Sequence, residues 1–265
     1  MVPTVWITGA SSGIGAACAL RYASEGARLV LTSSLPKNIE PVAEKCRAAG
    51  SPGVVVLPYD LRWPAGIPKL VAEAWDAFGG LDIVFCNAGV SQRARVEETS
   101  SELLRTIMEI DYFAPVAIAQ AVLPRMMERG GGNIAVTTSM SGRFGYPLRS
   151  AYCSAKFALY GFFETLRAEY YDQGIRVTIV CPGRVRTNIS YNALEGSGLP
   201  HGRLDPGQAK GIPAERAART IVKAIRRNRR EVLVGGGELL MIWIQRFFPG
   251  LCAFITRHIK PEQAL

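Results

Sequence analysis

Thr4-Val-Trp-Ile-Thr-Gly-Ala-Ser-Ser-Gly-Ile-Gly15 is the stretch from which the rest of the chain can be read. Its first five residues are apolar or β-branched and predict a short buried strand. Gly9, Gly13 and Gly15 then lead into a helix through Ser24. Glycines at a strand-to-helix turn let the backbone approach a pyrophosphate, and the helix N-terminus offers unpaired amides and a positive dipole end. The same glycines also suit a plain tight connection, so the remainder of the chain must decide between the two readings.

Working outward, further apolar runs fall at 27–32, 54–57, 81–86, 133–138, 175–181 and 231–234, each separated from the next by helical or mixed sequence. Short apolar strands alternating with helices predict an α/β protein. The expected fold is a doubly wound seven-stranded parallel sheet (a Rossmann fold) with helices on both faces. Right-handed crossovers place ligands at the carboxyl ends of such strands. Gly9, Asn87, Ser139 and Pro182 all fall there. A long helical stretch covers 101–128, with Pro115 as an expected kink. A looser glycine-rich piece spans 188–211.

The chain has 265 residues, 48% of them apolar, enough for one large core. Residues 1–237 are read as a dinucleotide-binding catalytic domain and 238–265 as an amphipathic C-terminal helical extension. The six cysteines are scattered and form no Cys-x-x-Cys pair, which predicts reduced, buried thiols and a cytoplasmic setting. Strand-like residues from Thr4 leave no visible signal peptide. His201 and His258 are the only histidines, so neither a metal site nor a histidine-based triad is expected. The net charge of +9 suits an anionic cofactor, a membrane surface or nucleic acid. Nucleic acid is set aside, because Arg226, Arg227, Arg229 and Arg230 fall at a helix C-terminus, where cations are favoured anyway.

The chemistry concentrates between Ser139 and Lys156. Tyr152 and Lys156 stand four apart, one turn along a helix face. An adjacent ammonium favours the phenolate and draws its pKa, ordinarily about 10, toward the range useful for proton transfer. Taken alone, the pair reads equally as an ordinary helix face with a snorkelling lysine. Ser139 closes the apolar run before it, and the connection through Gly142, Gly145 and Pro147 folds back so that its hydroxyl can face the phenol. A serine that holds an oxygen and a tyrosine that moves its proton make a carbonyl/alcohol site.

Thr8-Gly-Ala-Ser-Ser-Gly-Ile-Gly15, Asn87-Ala-Gly89, Ser139, Tyr152-x-x-x-Lys156 and Pro182-Gly-x-Val-x-Thr187, in this order, closely resemble the short-chain dehydrogenase/reductase family. The resemblance runs from about Val5 to Val234. The run from Asp111-Tyr-Phe-Ala-Pro to the end, including Gln208-Ala-Lys-Gly211, looks most like the family's branch of membrane-associated, steroid- or retinoid-type reductases. The resemblance implies an NAD(P)-dependent oxidoreductase interconverting a ketone or aldehyde and an alcohol. Tyr152 would be the acid/base, Ser139 would orient the substrate oxygen, and Lys156 would bind the nicotinamide ribose while lowering the tyrosine pKa. Gly9, Ser11, Ser12, Ile14 and Gly15 would hold the phosphates, with Asp60 and Leu61 flanking the adenine. Asn87, Ala88 and Gly89 would lie under the cofactor, with Pro182, Gly183, Val185 and Thr187 supporting the nicotinamide. A homodimer or homotetramer is expected. The alternative is a catalytically silent dinucleotide-binding regulator or scaffold, but the serine, tyrosine and lysine are all present.

Four further expectations follow. Ser33 and Ser34, with Lys37 close behind, stand where NAD enzymes of this kind carry an acidic residue, so NADP(H) is favoured over NAD(H). Asp111, grouped with the catalytic set, replaces the family's usual asparagine and should partly cancel the field of Lys156 on Tyr152. A pocket bordered by 91–95, 140–146 and 188–211, including Tyr191, Leu194 and Leu199, suggests a mostly apolar substrate. The extension lacks the roughly 18 unbroken apolar residues of a spanning helix. Packing on the domain, a subunit contact and a peripheral membrane contact through 238–260 stay open for it.

Overall fold

The computed structural model describes residues 2–259; Lys260 and the last five positions of the extension lie outside the described residues. The strands are β1 (Thr4–Thr8), β2 (Arg28–Thr32), β3 (Val54–Val56), β4 (Ile83–Cys86), β5 (Gln92–Arg93), β6 (Gly132–Thr137), β7 (Ile175–Pro182), β8 (Leu194–Glu195) and β9 (Glu231–Val234). Seven of them form one sheet in the order β3-β2-β1-β4-β6-β7-β9, every neighbouring pair parallel, while β5 and β8 pair separately. The helices are α1 (Gly13–Ser24), α2 (Pro36–Ala48), α3 (Ile67–Asp76), α4 (Ser101–Met108), α5 (Ala114–Glu128), α6 (Ser150–Tyr170), α7 (Pro206–Ala209), α8 (Ala214–Arg226), α9 (Leu240–Phe247) and α10 (Pro249–His258). The expected doubly wound sheet is the fold observed.

Side chains that alternate along a strand sort the core into two layers. Val5 and Ile7, Leu29 and Leu31, and Ile83 and Phe85 face one way, onto Cys18 and Tyr22 of α1, Ile39 of α2 and Ile221 and Ile225 of α8. Trp6, Val30, Val84 and Ile179 face the other, onto Leu70 of α3, Ile118 and Val122 of α5 and Phe163 of α6. Strands buried on both faces need no polar alternation, which is why they read as continuous apolar runs. Trp6 puts a polar atom in this core and satisfies it, its Nε1–H donating to Thr32 Oγ1 at 3.0 Å. All six cysteines are free and buried, as expected.

The strand order reverses between β1 and β4, leaving a crevice beyond their carboxyl ends. The stretch 101–128 is continuously helical, as expected, and its irregularity lies just ahead of Pro115. A π-helical turn, Glu109–Phe113, separates α4 from α5, and Pro115 sits in the first turn of α5. Proline lacks the N–H that an unbroken α-helix would donate to the Asp111 carbonyl, and the wide turn lies just ahead of it. The extension forms two short helices, as expected. Leu240, Trp243, Phe247, Leu251 and Phe254 are exposed on them, and Phe248 between them, while Cys252 is buried. Its first residue is tied to the sheet: Glu238 Oε1 accepts from the backbone N–H of Arg184 at 2.6 Å.

Phe85 is fully buried at the centre of the sheet, beside the crevice. Phe85→Ala should cost about 3–5 kcal/mol through lost transfer energy and a residual cavity. Urea titration checks this, and a loss below about 1 kcal/mol would contradict the packing described.

Candidate active site

A cavity of about 620 Å³ opens along the carboxyl ends of the strands. Every residue assigned above to catalysis or to the cofactor lines it, with two exceptions, Gly15 and Asp111. One end is walled by Gly9, Ser11, Ser12 and Ile14 from the first turn, Ser33 and Ser34 after β2, and Asp60 and Leu61 after β3. The middle holds Asn87, Ala88 and Gly89 after β4. The far end holds Ser139, Tyr152, Lys156 and, after β7, Pro182, Gly183, Val185 and Thr187.

Gly15 corrects the expectation for the phosphate loop. It does not face the cavity; a Cβ there would lie 2.2 Å from the Gly9 carbonyl oxygen and 2.7 Å from Asn87 Nδ2. Its role is close helix–strand packing, and Gly13 takes the place at the cavity wall. Asn87 is committed to the same framework. Its Nδ2 donates to the Thr8 carbonyl at 3.2 Å, and its Oδ1 accepts from Thr137 Oγ1 at 3.1 Å. One side chain thus pins the first turn to the end of β6.

The first turn of α1 carries no side-chain cap: the Ser12 hydroxyl makes no capping bond to the helix amides. Those amides face the cavity behind a glycine-rich wall, and this fits a pyrophosphate. Ser33 Oγ donates to Ser11 Oγ at 2.9 Å, joining the second strand to the same loop. Arg62, not foreseen from sequence, holds Asp60 through two N–H groups, its Nε 3.0 Å and its Nη2 2.6 Å from Oδ2. That bonding keeps the Asp60 carboxyl below its ordinary value. Lys37 is exposed on α2 and does not reach the wall.

Tyr152 and Lys156 project from α6, both nearly fully buried. Lys156 Nζ donates to the Thr137 carbonyl at 3.1 Å and lies 5.6 Å from the centre of the Tyr152 ring. It also lies 3.0 Å from Asp111 Oδ2, forming a buried ion pair. Asp111 itself is wholly buried behind the lysine in the π turn, its Oδ1 accepting from Val90 N–H at 2.7 Å. This corrects the expectation that groups it with the catalytic residues. Asp111 does not line the cavity; it stands behind Lys156, where its charge is felt by both Lys156 and Tyr152. Burial raises its pKa, against the Lys156 charge and the Val90 amide.

The Tyr152 pKa is raised above that of an ordinary phenol. Burial is the main cause; Lys156 opposes it, Asp111 reinforces it, and Ser139 and Arg149 oppose it more weakly. Ser139 Oγ also accepts from Ser141 N–H at 3.1 Å, which fixes the hydroxyl at the head of a short turn. The arrangement can hold an oxygen beside a buried phenol whose proton is governed by one fixed ammonium and one hidden carboxylate.

On the substrate side the expected borders hold, since 91–95, 140–146 and 188–211 all contribute to the lining, but the three apolar residues named within the last do not. Tyr191 and Leu199 are more than half exposed and do not line the cavity. Leu194 packs in a small cluster with Ala94, Leu103 and Ala155. The wall there combines Met140, Pro147, Leu148 and Ile189 with Arg93, Tyr146, Arg149, His201 and Asp205. The segment turns Tyr191 and Leu199 outward and Leu194 into β8, and presents Ile189, His201 and Asp205 to the cavity.

With this geometry in place, comparison with known proteins defines the class. Residues 3–197 match the family model for short chain dehydrogenase, and the chain belongs to that family. Among curated proteins it is 37% identical over 252 residues to dehydrogenase/reductase SDR family member 7B of Mus musculus, covering 93% of this chain and 78% of that one. The fold is shared with a Burkholderia phymatum short chain dehydrogenase/reductase solved in complex with NAD: TM-score 0.84, 23% identity, 94% of this chain and 95% of that one. An alcohol dehydrogenase from Thermococcus sibiricus complexed with 5-hydroxy-NADP gives a TM-score of 0.75 at 25% identity, over 89% of this chain and 97% of that one. A nicotinamide dinucleotide is the cofactor typical of this family.

The hidden carboxylate makes a specific prediction. At alkaline pH the Asp111 charge holds the proton on Tyr152, so Asp111→Asn should lower the tyrosine pKa. Tyr152 faces Lys156 on its own helix, Asp111 in the π turn and Arg149 at the start of α6; only the Asp111 charge is removed. The rise of the pH–rate curve for alcohol oxidation should therefore move to lower pH in the variant. Superimposable curves would show that Asp111 does not act on the tyrosine.

Proposed function

We propose that this protein is an NADP(H)-favouring carbonyl reductase/alcohol dehydrogenase in which Ser139, Tyr152 and Lys156 do the work at the substrate. The observation that carries the reading is the burial of Tyr152 beside Ser139, with Lys156 fixed by the Thr137 carbonyl and Asp111, at the end of a cavity whose other end is a glycine-walled helix N-terminus. A bound nicotinamide dinucleotide supplies or accepts the hydride. In reduction, Ser139 Oγ holds the carbonyl oxygen and the Tyr152 hydroxyl delivers the proton to it. The Lys156 ammonium stabilises the phenolate left behind. The raised pKa keeps the tyrosine protonated at neutral pH, which favours reduction as the working direction.

Tyr152→Phe should retain cofactor binding and lose roughly 10²–10⁴ in rate, the usual worth of a positioned acid/base. Nicotinamide absorbance with a panel of ketones measures this, and a fully active variant would remove Tyr152 from the mechanism.

The cofactor preference rests on the end of β2. Ser33 and Ser34 present hydroxyls there and no carboxylate, and the nearby Asp60 is held by Arg62. The Asp60 charge at that wall is offset by Arg62, Ser33 spends its proton on Ser11, and the Ser34 hydroxyl can donate to a 2′-phosphate. NADPH should bind roughly tenfold tighter than NADH, about the worth of one hydrogen bond to a charged group. Fluorescence titration at physiological salt checks this, and tighter binding of NADH would reverse it.

A further inference from the structure

We propose that the wall formed by Arg93 and Arg149 binds an anionic group, a carboxylate or phosphate, carried by the carbonyl substrate at a distance from its reacting carbon. The proposal rests on the carbonyl-reductase reading and names the substrate class for it.

Two arginines share one carboxylate here. Arg93 Nη2 is paired with Asp205 Oδ2, and Arg149 Nη2 lies 3.2 Å from the same oxygen. Arg93 is otherwise well used. Its Nη1 donates to Ser91 Oγ at 3.0 Å and to the Gln92 carbonyl at 2.6 Å, and its side chain is only 7% exposed. Arg149 is different. Of its five N–H donors, one serves Asp205, and its guanidinium lies 4.3 Å from the centre of the Tyr146 ring. It is 20% exposed at the side chain and lines the cavity, so a ligand can reach it.

The surroundings leave positive charge unbalanced. Arg203 also lines the wall, while its other carboxylate, Glu195, is engaged by His201 Nδ1 at 2.9 Å. His201 Nε2 is buried without a hydrogen-bond partner, 4.0 Å from Asp205 Oδ1. Burial and the Arg93 charge lower the pKa of Arg149, as expected for a cation short of counter-charge. A planar guanidinium held against an aromatic ring, with donors to spare, matches the two oxygens of a carboxylate or phosphate. Arg149 opens the helix that carries Tyr152 one turn later, and the two groups feel each other's charge. An anion on Arg149 therefore fixes the substrate within reach of the phenol.

A plain alternative is a latch, with Asp205 tying the segment 188–211 to the body of the protein. The two accounts differ in what variants do. The test uses the full chain loaded with NADPH and three ketones of one chain length: one ending in a carboxylate, one in a phosphate monoester and one in a methyl ester. In the parent, one of the anionic ketones should exceed the ester in kcat/KM by about 10- to 100-fold, the worth of charge-assisted hydrogen bonds, and the better of the two identifies the group. Arg149→Gln should bring that ratio toward one. Asp205→Asn should raise it, because the competing carboxylate is gone. Equal use of ester and anions by the parent, or both variants lowering all three ketones alike as a broken latch would, overturns the proposal. If no ketone is turned over, the reductase reading fails. Calorimetric titration of the NADPH-loaded protein with the carboxylate and the ester then decides the anion site by the same ratios.

Discussion

The contact between Lys156 and Asp111 is the constraint on which this active site depends. Both groups are almost wholly removed from water, and neither could stay charged there alone. A buried ion pair is weak evidence for stability, since desolvation offsets much of the attraction. Its consequence here is positional. The ammonium is held between a carboxylate in the π turn and a carbonyl at the end of β6, and the phenol of the same helix has to titrate in that field. Gly89 shows how tightly the space is drawn: a Cβ there would lie 3.1 Å from Asp111 Oδ2 and 3.3 Å from Lys156 Nζ.

The sheet supplies the frame for this pair. Reversal of strand order between β1 and β4 opens the crevice, and Asn87 closes its floor by joining Thr8 to Thr137. Thr137 thus serves twice, its hydroxyl toward Asn87 and its carbonyl toward Lys156. The glycine loop, the central crevice and the proton-transfer site are linked through a few fixed polar contacts. On the substrate side the chain departs from this economy and concentrates two arginines on a single carboxylate.

The sequence made the sheet readable because strands buried on both faces carry uninterrupted apolar runs, as in Val5–Ile7 and Ile83–Cys86. The site was readable where chemistry demands particular residue types in a fixed order, as with Ser139, Tyr152 and Lys156. Other features depend on relations that no local pattern encodes. The π turn leaves no mark beyond a proline after it, so Asp111 was visible as a departure but its seat behind Lys156 was not. Gly15 looks like Gly9 in sequence, and only the close approach to the Gly9 carbonyl separates their roles. Asp205 lies 112 positions from Arg93, and their pairing depends on the path of a segment with little regular structure. Leu194 and Leu199 were misleading because apolar residues in such a segment can face inward, outward or a second strand.

The most direct test of the central claim is a double-mutant cycle on the buried pair, read by urea unfolding of the parent, Lys156→Met, Asp111→Asn and the combined variant. Removing one partner strands the other in an apolar site, and each single change should cost several kcal/mol, about 3–5 when the remaining charge has no other partner. The combined variant should lose clearly less than the sum, with a coupling above about 1 kcal/mol. Strictly additive losses would show that the two groups do not hold each other, and the site would have to be organised by something else.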